Sequence, residues 1–187
     1  MALSNTNISV IRSNRKTISL EIKPGEVIVR APLFMKDEEI KSFIQSKNSW
    51  IEKHLSSLSE KQKYLDDTKP YTKEEIKEMT EKAKEVIPQR VEYYAEKVGV
   101  SYGRITVRCQ KTRWGSCSSK GNLNFNCLLV LLPQEVLDSV VVHELCHRKQ
   151  MNHSSLFYDE INKVFPEYKR CNQWLKENGW RYFSRLS

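Results

Sequence analysis

Three short runs near the N-terminus, "ISVIRS", "KTISLEI" and "EVIVRAP", are rich in β-branched residues and alternate in part between apolar and polar positions. The turn-forming segments "NRK" and "KPGE" separate them, so they predict a strand meander. From Asp37 the period changes. Ile40, Phe43, Ile44, Trp50, Ile51 and Leu55 recur at helical spacing and predict one or two helices over 37–58. The polar stretch 59–72, which holds Pro70, reads as a linker. Thr72 then opens a helix with an apolar stripe of Ile76, Met79, Ala83 and Val86, which Pro88 should end or kink before the pattern resumes in "RVEYYAEKVGV". "RITVRCQ", "KTRWGSCSSKGNLNFN" and "CLLVLLP" predict strands broken by a turn, with Gly115 and Gly121 able to take positive φ. Pro133 precedes an apolar helix that runs into "VVHELCHRKQMNH", and two amphipathic helices split at Pro166 follow. The expected class is α+β: a strand-meander and helix lobe over 1–60, and a main domain over 70–187.

Composition changes this picture little. A chain of 187 residues can bury one sizeable core with a small appended lobe. No run approaches the roughly 20 apolar residues of a membrane-spanning helix, and the N-terminus lacks the apolar segment of a secretory signal, so a cytoplasmic location is expected. Five cysteines without a CxxC pair suggest neither a disulfide framework nor a thiolate zinc cluster. The net charge of +8 is interleaved with acids along the chain, which implies at most a weak electrostatic association with nucleic acid.

The chemistry concentrates in "VVHELCHRKQMNH", which holds three of the four histidines. His143 and His147 lie one helical turn apart on one face and can reach a single cation. Glu144 flanks that face, close enough to take a proton from a metal-bound water. This H-E-x-x-H arrangement points to metal-assisted hydrolysis with zinc as the expected ion. Val140, Val141, Val142, Leu145 and Cys146 make the helix apolar on its other sides, and burying three ionisable groups unpaired would be costly. His153 supplies a third ligand if the helix stops near Gln150 or Met151 and reverses, with Asn152 suited to a left-handed conformation. Glu160 or Glu167, on following helices, are the alternative third ligands.

The chain resembles the YgjP-like metallopeptidases, a zincin group related to the SprT-like and WLM proteases. The resemblance rests on "IRSNRKTISLEIKPGEVIVRAP", "TRWGSCSSKGNLNFN", "VVHELCHRKQMNHS" and "PEYKRCNQWLKENG". It departs at Tyr158, Cys127 and Leu128, where the family often has tryptophan, tryptophan and a basic residue. The resemblance implies a zincin-like domain, zinc on His143, His147 and His153, and Glu144 as general base for peptide hydrolysis. It also implies that "NLNFN" (Asn122, Leu123, Asn124, Phe125, Asn126) is an edge strand above the cleft that pairs with a polypeptide substrate. Tyr158 and Tyr168 are candidate oxyanion donors. Arg113 and Trp114 are expected to stabilise the fold.

Two rival classes stand beside this expectation. A nucleic-acid-associated module with a structural zinc would have no use for Glu144 as a base. A cysteine hydrolase on Cys117 or Cys146 would need a dedicated histidine, and only His54 remains.

Overall fold

The structure, a computed structural model, describes residues 7–186, and the chain divides into two compact units, Met1–Thr68 and Lys69–Ser187. Both mix helix and strand, as an α+β chain should.

The first unit contains β1 (Asn7–Ser13), β2 (Ser19–Lys23), β3 (Glu26–Pro32), α1 (Asp37–Ser46) and α2 (Asn48–Asp67). β2 and β3 form a hairpin in which Pro24 fixes one turn dihedral and Gly25 takes a φ of 75°. The sheet is not the expected meander. Its order is β1-β3-β2, with β1 parallel to β3. The cause is apolar content: Val27, Val29 and Ala31 make β3 the buried strand, which therefore takes the centre, while β1 leaves Val10 and Ile11 exposed. Ile40 of α1 packs on Val29 and Ala31, and Arg12 joins the end of β1 to Asp37 at the start of α1. The polar stretch expected as a linker is mostly helix. α2 runs to Asp67, helped by an i,i+4 bond from Gln62 to Asp66 of 2.8 Å, and only residues 68–72 are non-helical.

The second unit opens with α3 (Lys73–Val98). Thr72 and Glu75 cap it reciprocally, with bonds of 2.7 and 3.1 Å, and Gly99 closes it at φ 73°. The helix continues through Pro88. One lost hydrogen bond is outweighed by a buried stripe that spans the proline: Met79, Ala83, Ile87, Val91, Tyr94 and Val98.

Next come β4 (Ile105–Arg108), β5 (Gly115–Cys117) and β6 (Leu123–Asn126), in the order β4-β6-β5. β6 is parallel to β4 and antiparallel to β5. "CLLVLLP" is not a strand; Cys127–Leu131 form a 3₁₀ helix whose first turn is capped by Asn126 Oδ1, which accepts from Leu128 N at 3.1 Å. The remaining elements are α4 (Gln134–Cys146), α5 (Ser155–Val164) and α6 (Tyr168–Phe183). α4 is enclosed by α3, α5, α6 and β5. Arg90 of α3 grips the buried Asp138 of α4 with two bonds of 2.7 Å, and Gln134 and Tyr94 donate to the same carboxylate at 2.9 and 3.2 Å. No helix among the described residues is long and apolar enough to cross a membrane.

Candidate metal centre

The apolar packing of α4 sets the site. Val141, Val142, Leu145 and Cys146 are fully buried, so the remaining face of the last turn carries His143, Glu144 and His147. The helix ends sooner than expected, at Cys146, with His147 as its C-cap. The chain then reverses through a tight turn in which Arg148 N donates to Leu145 O, and Lys149 N and Gln150 N both donate to Cys146 O. Asn152 takes no left-handed conformation, since no non-glycine residue described has positive φ. The turn still returns His153 to the face of α4, and Ser154 stands at the N-cap of α5.

The three imidazoles converge. His143 Nε2 lies 3.2 Å from His147 Nε2 and 3.1 Å from His153 Nε2. Two Zn–N bonds of about 2.0–2.1 Å at a tetrahedral angle place their nitrogens about 3.3 Å apart, so the donor set fits a small tetrahedral cation. Among the described residues these histidines are the group able to hold a metal ion. The outer nitrogens of two of them are engaged: His147 Nδ1–H donates to Gln150 O at 3.0 Å, and His143 Nδ1 bonds the Tyr168 hydroxyl at 2.8 Å. Those bonds leave the Nε2 atoms of His143 and His147 directed at the point they share with His153 Nε2. Burial and the neighbouring imidazoles lower the His143 pKa to about 3, and burial lowers that of His147, which favours the neutral form of both rings that metal binding requires. Glu160 is not in the group; it is ion-paired with Lys149 and Lys163. Glu167 lies at the N-cap of α6.

Glu144 is 5% exposed, and burial pushes its carboxyl up to about 8, opposed in part by Arg113. Gly115 explains how that carboxyl fits. It has no positive φ, contrary to expectation; only Gly25, Gly99 and Gly121 do. A Cβ on Gly115 would sit 2.7 Å from Glu144 Oε1 and 2.9 Å from its Cγ, so the glycine is required by close approach. Beside this contact is a cavity of about 170 Å³ whose walls include Trp114, Gly115, His143, Glu144, Tyr168 and Asn172.

"NLNFN" is not an edge strand. β6 is paired on both sides, and its side chains serve the fold: Leu123 and Phe125 are fully buried, and Asn122 Oδ1 accepts from Arg104 N at 3.0 Å. Asn124 Nδ2 reaches Ser116 Oγ at 3.5 Å, and Asn126 Nδ2 donates to the carbonyls of Gln110 and Arg113 at 2.7 and 3.0 Å. The edge strand against α4 is β5. Trp114 packs on Phe183 with ring centroids 4.4 Å apart, in keeping with a stabilising role. Tyr158 is 39% exposed with its ring 6.5 Å from that of His153, whereas Tyr168 is buried and turned to His143. In the sequence Phe157 is only an apolar residue of the helix that follows His153, with no role at the site. It is fully buried and touches all three imidazoles at centroid distances of 4.6 to 4.9 Å. Its only signal in the sequence is an apolar residue one turn after His153.

The sequence matches the family described as YgjP-like, metallopeptidase domain, over residues 16–77 and 66–178. Among solved structures it is similar to the metallopeptidase zymogen abylysin of Pyrococcus abyssi (24% identity, TM-score 0.45, covering 49% of this chain and 94% of that one). It is also similar to the zymogen jannalysin of Methanocaldococcus jannaschii (22% identity, TM-score 0.45, 49% and 95%). No curated protein sequence matches.

Proposed function

The chain belongs to the YgjP-like metallopeptidase family, and from that premise we propose that it hydrolyses peptide bonds with zinc held by His143, His147 and His153 and with Glu144 as general base. The observation that carries this reading is the convergence of three Nε2 atoms, two pairs at 3.1 and 3.2 Å, beside a buried carboxyl. Three imidazole nitrogen donors suit zinc, and three protein ligands leave a position open for chemistry. When bound, the ion would supply Lewis acidity toward water and the scissile carbonyl.

The chain's own groups supply the rest. Glu144 accepts a proton from the attacking water and returns it to the leaving amine; burial by itself pushes its carboxyl up to about 8, and a cation held by the histidines would draw it back toward the ionised form that a general base needs. The free edge of β5 can pair with an extended peptide, which replaces the "NLNFN" docking expected from the sequence. Tyr168 orients His143, and the more exposed Tyr158 is the better placed of the two tyrosines to donate to an oxyanion.

Metal analysis of the purified protein, with a hydrolysis assay on an unfolded polypeptide, tests the reading. One equivalent of zinc, and activity removed by a chelator and restored by zinc, are the expected results; hydrolysis that persists after the metal is stripped would refute it.

A further inference from the structure

Two of the five cysteines directly follow a pair of registered strands, outside the histidine cluster. β4 and β6 pair in parallel through Ile105↔Leu123, Val107↔Phe125 and Arg108↔Asn126. One step beyond the last pair lie Cys109 and Cys127. Cys109 follows β4 directly, Cys127 opens the 3₁₀ helix directly after β6, and the two thiols are near enough to hydrogen-bond to each other. The last registered pair, Arg108↔Asn126, sets the two segments side by side one residue before the cysteines, and the spacing of paired strands there, about 4.8 Å, is within the Cα separation of roughly 4.4–6.8 Å that a disulfide accepts. Both thiols are free; Cys109 is exposed and Cys127 is buried.

This pair adjoins the segment that shapes the metal centre. Residues 110–114 run from Cys109 to β5 and hang on Asn126, the neighbour of Cys127. The Asn126 amide group donates to Gln110 O and Arg113 O, and its backbone N–H donates to Trp114 O at 2.8 Å. Gly115, pressed against Glu144, comes next.

We propose that Cys109 and Cys127 are an oxidation site, closed to a reversible disulfide by peroxide, and that closure pulls on the 110–114 segment and lowers turnover at Glu144. The exposed Cys109 sulfur attacks a peroxide oxygen, giving a sulfenic acid and one water. The buried Cys127 sulfur then displaces the hydroxyl as a second water, which needs no solvent access. Two thiols lose two electrons and two protons to one peroxide. Burial and the neighbouring Cys127 thiol push Cys109 up to about 11, so little thiolate is present to attack peroxide and closure is slow, requiring sustained exposure to the oxidant. The effect on turnover rests on the proposed peptidase function; the bond itself does not.

The test treats the full-length, zinc-loaded protein with hydrogen peroxide. Peptide mapping should show one linkage, Cys109 to Cys127, with two of the five thiols lost to labelling in denaturant. Backbone hydrogen exchange over 110–117 should change on oxidation. Peptide hydrolysis should fall several-fold and recover with a phosphine reductant, while C109S shows neither linkage nor loss. Cys109 found as sulfinic acid with Cys127 still free, or a linkage between other cysteines, would overturn the site. A Cys109–Cys127 bond with exchange over 110–117 and hydrolysis both unchanged would overturn the coupling. If the reduced protein hydrolyses no peptide, the peptidase reading fails, and the map and the exchange data still decide this proposal.

Discussion

At the scale of single residues, the histidine cluster of the proposed centre is legible because spacing alone carries it. His143 and His147 share a helical face, and His153 needs only a reversal of the chain. What spacing cannot carry is the reason for Gly115, whose value lies in a contact with Glu144 made across the fold. G115A should therefore displace the carboxyl and cost about 10²-fold in hydrolysis, as misplacement by an ångström does, while zinc content stays stoichiometric; unchanged kcat would show that the close approach is unimportant. The third ligand separates in the same way. H153A should lose zinc affinity severely, whereas E160A, which removes only ion pairs to Lys149 and Lys163, should bind a full equivalent. Retention by H153A and loss by E160A would reverse the assignment. Y168F removes the hydroxyl that holds His143 Nδ1, and zinc affinity should drop about tenfold, measured by chelator competition.

At the scale of elements, periodicity finds most helices and strands but not their neighbours. The three N-terminal runs are strands, yet β3 takes the centre because it is the apolar one, and that comparison is global, not local. Pro88 and "CLLVLLP" mislead for a related reason. Packing on both sides of the proline holds α3 together, and a buried asparagine at 126 turns an apolar run into a 3₁₀ helix. The β6 edge inferred from the resemblance fails because two strands, not one, pair with it. The α3–α4 clamp is invisible in the sequence, since Arg90 and Asp138 are far apart along the chain. R90A leaves a buried carboxylate with only Tyr94 and Gln134, so it should destabilise the protein by about 2–4 kcal/mol in urea unfolding. A loss below about 0.5 kcal/mol, the size of an ordinary surface substitution, would remove the clamp from the account.

At the scale of the whole molecule, every residue of the candidate centre and the apolar cluster that supports it lies in the unit Lys69–Ser187. The net charge of +8 is a property of the full chain, and any nucleic-acid affinity it confers should collapse with added salt. The central claim is a chemical one, and it turns on one side chain. The decisive measurement is the rate at which zinc-loaded E144Q cleaves an unfolded polypeptide, compared with the wild type. The amide keeps the shape and the contact with Gly115 but cannot accept the proton of water. The rate should fall by about 10²–10⁴-fold with zinc still stoichiometric, and cleavage by E144Q at the wild-type rate would contradict the account.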